Sequence, residues 1–253
     1  MLPSFSIFEL MTEEATNRGG EWLFQYDELD RAGELQKQFK VNSVEAAIRA
    51  LKPFLEQYFR ERNVEQVIEI SLAPPKVKIL STEGAKFILD SMSLRGKAKS
   101  GKSFEDLVAS QLSRKLTGQV MSVGYRQRHG VPAFRSTLKE LGIDLASAKH
   151  LKDGGLDVIW LPPLGKKSEI PFVNFQCKNT ETIGNDVKGS VSDARKSFHS
   201  HHLFKPEDFL IFAVFNTYLE PKMVKDSKGR GCIYLGLPEL LECRSLTPAP
   251  VYI

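Results

Sequence analysis

Apolar residues recur at helical spacing over one long stretch near the start of the chain. The segment VEAAIRALKPFLEQYFRERN follows Ser43, a residue type that favours the cap position of a helix. Its apolar residues fall on one helical face: Val44, Ala47, Ile48, Leu51, Phe54, Leu55 and Phe59. Three strand-like runs come next, QVIEISLA, KVKIL and AKFILD, separated by prolines and a glycine. The pattern therefore predicts a module of helix and strands over residues 1–95.

From Ser103 the pattern changes to helix, strand, strand, helix and strand. A helix from Ser103 to about Leu116 turns its apolar residues toward a core, with Glu105 in its first turn and Gly118 as its stop. LDVIWL and PFVNFQCK are typical of adjacent central strands, and DFLIFAVFN is typical of a strand buried on both faces. Between them, DVKGSVSDARKSFHSHH predicts a loop and a helix. Residues 96–253 are therefore predicted to form a second domain, and the fold class is α/β (α+β).

Composition is that of a globular protein. The chain has 253 residues, 42% of them hydrophobic and 26% charged, and no window approaches the apolar length that crosses a bilayer. The N-terminal stretch MLPSFSIFELMTEE lacks the pattern of an export signal. The cysteines, Cys177, Cys232 and Cys243, are widely spaced and form no C-x-x-C pair, as expected of reduced thiols. We expect a cytoplasmic protein with no membrane partner.

Positive charge is concentrated in three short segments. The net charge of +4 and the pI near 8.8 permit an anionic partner without requiring one. RGKAKSGK (95–102) holds four cations in eight residues, and YRQRHG (125–130) and ARKSFHSHH (194–202) are also basic. The cations expected to contact nucleic-acid phosphates are Lys97, Lys99, Lys102, Arg126, Arg128, Arg195 and Lys196. For Arg195 and Lys196, ordinary solvated surface charge is the alternative that stays open.

The segment GKAKSGKS, Gly96 to Ser103, matches the phosphate-binding loop of nucleotide hydrolases. A working loop of that kind follows a strand, and an acidic residue at the end of another hydrophobic strand completes its metal site. The most apolar run of this chain ends instead in Asn216. We therefore expect a basic loop that meets nucleic-acid phosphates, and nucleotide binding is the lower-ranked alternative.

Three polar residues converge on two of the predicted central strands. Asp157 begins one strand, and Gln176 and Lys178 flank Cys177 on the next. Alternation along a strand puts Gln176 and Lys178 on one face and Cys177 on the other. Pairing of the two strands as in a hairpin would bring Asp157 beside them, so a carboxylate, an amide and an ammonium would meet at one small site.

Hydrolysis of a phosphodiester requires such groups. A hard divalent cation held by carboxylate and carbonyl oxygens neutralises the phosphate and lowers the pKa of a bound water, and a lysine orients that water or stabilises the developing charge. Magnesium suits a site of oxygen donors best. Because Gln176 is neutral, a second acid is needed, and Glu105 is the best candidate. The expected metal ligands are Asp157, Glu105, Gln176 and the backbone carbonyl of Cys177.

The segments FEDLVASQL, DGGLDVI and FQCKN, in this order, resemble the PD-(D/E)xK nuclease superfamily. Within it they are most similar to Mrr-type restriction endonucleases, in which glutamine replaces the acid of the E-x-K element. The resemblance covers about 102–215, and Leu156 stands where the family has the proline of its Pro-Asp pair. It implies a restriction endonuclease-like mixed sheet flanked by helices. It also implies catalytic roles for Asp157, Gln176 and Lys178, with Glu105 as the family's helix-borne glutamate.

The function that this resemblance implies is magnesium-dependent cleavage of double-stranded DNA to leave 5′-phosphates. A type II restriction endonuclease of a prokaryote or phage is the first choice, because the chain is short and carries no motor or methyltransferase motif. Cutting both strands of a symmetric site calls for two active sites, which predicts a homodimer. Residues 1–95 would then contribute DNA recognition or dimer contacts. Alternatives are a methylation-dependent Mrr-type enzyme, a repair or recombination nuclease, and a DNA-binding protein that does not cut.

Overall fold

The protein divides into two compact units in a computed structural model. Residues Met1–Ser93 and Leu237–Glu242 form unit 1, and Leu94–Gly236 and Cys243–Ile253 form unit 2. The residues that the structure describes are 3–29, 33–62, 64, 66–97, 100–122, 156–163, 173–180, 187, 191–192, 210–220 and 232–241.

Unit 1 packs helices with a small antiparallel sheet. Its helices are α1 (Pro3–Asn17), α2 (Glu34–Phe39), α3 (Val44–Arg60) and α4 (Thr82–Leu94), and α6 (Leu237–Leu241) joins them from near the other end of the chain. Its strands are β1 (Glu21–Leu23), β2 (Ile68–Leu72) and β3 (Pro75–Ile79), and β3 lies between the other two. A 3-10 helix spans Tyr26–Leu29.

The predicted amphipathic helix is confirmed as α3. Ser43 caps it, since the Ser43 hydroxyl accepts a hydrogen bond of 3.2 Å from the backbone N–H of Ala46. Three of the residues predicted to face the core, Ala47, Ile48 and Leu51, are fully buried. Burial of this apolar face stabilises the helix within unit 1.

The prediction of a strand over AKFILD is wrong, because these residues belong to helix α4. Ser81 begins the helix: its hydroxyl accepts from the N–H of Gly84 at 3.0 Å, and its carbonyl accepts from the N–H of Ala85 at 2.8 Å. The buried positions of α4 are Gly84, Ala85, Phe87, Ile88 and Ser91, which is helical spacing. A short apolar run does not by itself distinguish a buried strand from a buried helix. Here the hydrogen bonds of Ser81 stabilise the start of a helix.

The described residues of unit 2 form a five-stranded mixed sheet. Its strands, in spatial order, are β4 (Gln119–Ser122), β5 (Val158–Leu161), β6 (Val173–Lys178), β7 (Leu210–Phe215) and β8 (Ile233–Leu235). The first three strands pair antiparallel, and β6, β7 and β8 pair parallel. Helix α5 (Gly101–Lys115) packs against β4, β5 and β6. The mixed α and β composition agrees with the predicted class.

The strand predicted to be buried on both faces is confirmed as β7. It lies between β6 and β8, and its residues from Ile211 to Phe215 are all buried. The rings of Phe175 and Phe212 stack with their centroids 5.1 Å apart across the β6–β7 pair. This apolar centre holds the carboxyl ends of β6 and β7 side by side.

Gly118 joins α5 to β4 at a position where only glycine fits. Its φ is +101°, and a Cβ there would lie 2.2 Å from the carbonyl oxygen of Leu161. We expect Gly118→Ala to lower the free energy of unfolding by about 2 kcal/mol or more, because backbone strain and a steric clash add. Gly101→Ala is the control, since a Cβ at Gly101 would meet nothing within 4 Å. Urea denaturation measures both, and equal stabilities of the two variants would contradict the prediction.

Candidate active site

The site begins where β5 and β6 run side by side in opposite directions. Val158 pairs with Phe175, and the same register continued by one residue sets Asp157 opposite Gln176. Both side chains lie on one face of the sheet, and they are buried, with exposures of 4% for Asp157 and 5% for Gln176. The hairpin-like pairing predicted for these two strands, which brings Asp157 beside Gln176, is therefore confirmed.

The Asp157 carboxylate holds the beginning of the Gln-x-Lys segment in place. Its Oδ2 atom accepts a hydrogen bond of 2.5 Å from Nε2 of Gln176 and one of 2.6 Å from the backbone N–H of Cys177. These bonds use the nitrogen of the Gln176 amide and leave its oxygen for another partner. Oε1 of Gln176 is buried and has no hydrogen-bond partner among the residues that the structure describes. A buried acceptor in that state costs about 1–3 kcal/mol, so it marks a position where a donor or a cation would be stabilised.

Four charged groups influence the pKa of the Cys177 thiol. Its pKa is raised well above the ordinary value, first by burial, then by the carboxylates of Asp157 and Glu105, with Lys102 and Lys178 opposing the shift. All four charged groups therefore act on one position of β6. A thiol with a raised pKa stays protonated at neutral pH, so Cys177 adds no negative charge to the site.

Glu105 projects from α5, but one turn later than the sequence indicated. The helix begins at Gly101 after Ser100, whose carbonyl accepts from the N–H of Phe104 at 3.0 Å, so Glu105 lies in the second turn. The prediction of a first-turn position is wrong because Ser100 rather than Ser103 precedes the helix. The Glu105 side chain is only 15% exposed, and its Oε2 lies 3.6 Å from Nζ of Lys102.

Lys102 is committed to groups on α5 and β4. Its Nζ donates to Oδ1 of Asp106 at 2.5 Å and to the hydroxyl of Ser122. With Glu105 also nearby, Lys102 serves to balance the acidic residues of α5. Its expected contact with DNA phosphate would therefore have to compete with these bonds.

Lys178 ends β6, and its backbone is fixed on the side of β7. It pairs in parallel register with Phe215. Its carbonyl accepts from the N–H of Asn216 at 3.1 Å and from the N–H of Thr180 at 2.8 Å. The side chain is partly exposed and shares the sheet face of Gln176. The sheet thus presents Asp157, Gln176 and Lys178 together.

The loop Gly96–Ser103 does not have the surroundings of a nucleotide-binding loop. Helix α4 precedes it and α5 follows it, so the chain enters the loop from a helix, whereas a phosphate-binding loop is entered from a strand. Within the loop, Lys97 is exposed to solvent.

A network of asparagines next to Lys178 was missed by the sequence reasoning. Nδ2 of Asn179 donates to the carbonyl of Leu94 at 2.9 Å and to the hydroxyl of Ser100 at 2.5 Å. Nδ2 of Asn216 donates to Oδ1 of Asn179 at 2.7 Å. The available signal was that an asparagine directly follows each of two buried parallel strands, because polar residues at the carboxyl ends of such strands often form sites.

The oxygen donors at this site fit magnesium in kind. This ion prefers hard oxygen ligands. The site offers the carboxylates of Asp157 and Glu105 and the amide oxygen of Gln176. No group of three or more His, Cys, Asp and Glu side chains in the described part of the chain could hold a metal ion. A metal at this position would therefore depend on the neutral oxygen of Gln176 as well as on acids.

Several predicted DNA contacts lie outside the described residues: Lys99, Arg126, Arg128, Arg195 and Lys196. Within the described ranges, no helix is long and apolar enough to cross a membrane.

Comparison with known proteins adds little. No protein-family model matches the chain, and no curated protein matches it. The crystal structure of protein VC1899 from Vibrio cholerae aligns with 97% of this chain and 50% of its own, at 11% sequence identity and a TM-score of 0.27. The chain thus spans half the length of that protein, and a likeness of this size carries no argument about fold or function.

Proposed function

We propose that unit 2 is a magnesium-dependent DNA endonuclease with a restriction endonuclease-like fold. The observation that carries the proposal is the buried bond between Asp157 and Gln176. It leaves the Gln176 amide oxygen beside a carboxylate, with no hydrogen-bond partner among the described residues. Lys178 follows two residues later on the same sheet face. Together with Glu105 on α5, these groups match the D…Q-x-K pattern in residue type and in neighbourhood.

Each residue has a distinct task in this proposal. Magnesium, when bound, would neutralise charge on the scissile phosphate and lower the pKa of a water. Asp157 and Glu105 would supply the negative charge that holds the ion. Asp157 also binds the nitrogen of the Gln176 amide, which leaves the amide oxygen available as a further ligand. Lys178 orients the attacking water and stabilises charge on the phosphate as the 3′ oxygen leaves. The product is a 5′-phosphate.

The distribution of charge supports DNA binding by unit 2. Unit 2 contains 24 basic and 14 acidic residues, a net charge of +10, whereas unit 1 contains 11 basic and 17 acidic residues, a net charge of −6. Most of the affinity of proteins for DNA comes from cations that neutralise phosphates. We therefore propose that unit 2 contacts the DNA backbone and that Lys97 is one of the contacting residues.

Unit 1 is better suited to dimer contacts than to DNA recognition. Four residues separate α2 from α3, a spacing seen in helix-turn-helix motifs. Its negative charge, however, opposes approach to DNA, and the exposed Arg49 on α3 is held by Glu45 at 2.6 Å. We propose that unit 1 contributes to a homodimer that brings two active sites to the two strands of DNA.

A type II restriction endonuclease is the most specific form of the proposal. A methylation-dependent Mrr-type enzyme and a repair or recombination nuclease would use the same site chemistry. The substrate distinguishes them: discrete fragments from plain plasmid DNA indicate type II restriction, fragments from methylated plasmid alone indicate the Mrr type, and preference for branched DNA indicates repair.

Incubation of the full chain with plasmid DNA tests the proposal. We expect linear or discrete products with 5′-phosphate ends when magnesium is present and intact plasmid when it is chelated, because the water and the phosphate both depend on the cation. Gel analysis and end labelling provide the readout. Equal cutting with and without the chelator, or no cutting of any of the three substrates, would refute it.

A further inference from the structure

The asparagine network connects β6, the strand that ends in Lys178, to the basic loop, residues 95–102, of which the structure describes 95–97 and 100–102. Asn179, the residue after Lys178, donates both hydrogens of its side-chain amide: one to the carbonyl of Leu94, the last residue of α4, and one to the hydroxyl of Ser100 in the loop. Its oxygen accepts from Asn216 at the end of β7. Every polar atom of the Asn179 side chain is therefore used in one geometry.

Asn216, which follows β7, holds the side-chain amide of Asn179 from the side of the sheet. It is completely buried, and its backbone N–H binds the carbonyl of Lys178. Its own carbonyl accepts from Nε of Arg95, which is the first cation of the basic loop, at 3.2 Å. The loop is thus attached to the ends of both β6 and β7. Several partially buried hydrogen bonds that share partners make such an attachment rigid.

The attachment extends to the exposed cation of the loop. The Ser100 hydroxyl lies 2.6 Å from the carbonyl of Lys97, and the Ser100 N–H binds the same carbonyl at 3.3 Å. Ser100 therefore carries the connection from Asn179 to the backbone of Lys97. The Lys97 side chain extends into solvent. The side chains of Asn179 and Ser100 thus connect the end of β6 to Lys97, a cation that a polyanion can reach.

We infer that Asn179 is a positioning residue that locks the basic loop to the catalytic strand, so that Lys97 binds a DNA backbone phosphate near the one that is cut. The inference rests on the proposed function and adds the residue that sets the geometry between binding and chemistry. A phosphate contact held at a fixed distance from Lys178 fixes the register of the DNA at the reacting atoms. A loop that moved independently would hold Lys97 at no fixed distance from Lys178, and the contact between Lys97 and the phosphate in that register would be lost.

A double-mutant cycle on DNA affinity tests this coupling. The variants are Lys97→Ala, Asn179→Ala and the double variant, with the dissociation constant for a duplex measured over a series of salt concentrations without divalent cation. Loss of one phosphate contact lowers the slope of log K against log salt by about 1. We expect this change in Lys97→Ala and in Asn179→Ala, with no further change in the double variant. Additive changes in slope would overturn the inference.

A control cycle separates coupling from general damage to the fold. Lys115 lies in the last turn of α5, and nothing in the network reaches it, so Lys115→Ala and Asn179→Ala should be strictly additive. Non-additivity with Lys115 as well would overturn the inference, because it would show a global effect. If Asn179→Ala does not fold, Ser100→Ala takes the place of Asn179→Ala in the cycle, because it removes the same link from the side of the loop.

The cycle also distinguishes this inference from the proposed nuclease activity. A wild-type protein that binds DNA without cutting it would refute the endonuclease, while the slopes would still decide the coupling. A wild-type protein without measurable affinity for DNA would overturn both. In an active enzyme, Asn179→Ala should additionally raise KM for DNA more than it lowers kcat, and a fall in kcat alone would contradict the role in DNA positioning.

Discussion

Replacing Asp157 by asparagine is expected to lower the rate of DNA cleavage by at least about 10³-fold, because the site loses a charge that the metal and the reacting phosphate require. Asparagine keeps the size of the side chain and offers one oxygen to the backbone N–H of Cys177, so the fold should survive. DNA affinity without metal should be unchanged or higher, since one negative charge has been removed. Single-turnover cleavage of plasmid DNA in magnesium measures the effect.

Metal binding gives the same substitution a second readout. A ligand that binds only the folded protein raises its melting temperature. Magnesium should therefore stabilise the wild-type protein against heat and leave Asp157→Asn unaffected. Asp106→Asn is the matched control, because Asp106 is an exposed carboxylate on α5 next to Glu105, and it should retain cleavage and stabilisation by magnesium. Cleavage by Asp157→Asn at the wild-type rate would remove Asp157 from the proposed site.

Local patterns were sufficient to predict the parts of the fold on which the proposed chemistry depends. The two-residue alternation along β6 placed Gln176 and Lys178 on one face, and the apolar run of β5 placed Asp157 at its beginning. An antiparallel neighbour then followed from the order of the two strands. These features are encoded within a few residues, as is the cap of α3 at Ser43.

Features that depend on contacts distant in sequence could not be predicted. Asn179 finds its partners at Ser100 and Leu94, which are 79 and 85 residues away along the chain. Likewise, α6 belongs to unit 1 although the rest of that unit ends at Ser93. No periodicity records such contacts, because they are chosen by the packing of the whole unit. The apolar run of α4 was ambiguous for a local reason, since a short hydrophobic segment suits either a strand or a helix.

Lys178→Met is the second substitution with a large expected effect, a loss of about 10²–10⁴-fold in cleavage rate, which is the usual range for removing a group that assists proton transfer. Methionine retains the unbranched apolar stem and removes the ammonium. In the proposed mechanism Lys178 acts on water and phosphate, whereas metal binding depends on Asp157 and Gln176. Magnesium should therefore still raise the melting temperature of Lys178→Met. This combination, metal binding without cleavage, separates the role of Lys178 from that of Asp157.

Two further variants complete the test of Lys178. Lys178→Arg keeps the positive charge but replaces a compact ammonium with a planar guanidinium that does not give up its proton. Recovery of cleavage in Lys178→Arg would mean that Lys178 supplies charge alone, and persistent loss would mean that it handles the proton of the water. Lys115→Met, at the far end of α5, should cut at nearly the wild-type rate. Cleavage by Lys178→Met as fast as by Lys115→Met would show that the ammonium next to Gln176 takes no part in the reaction.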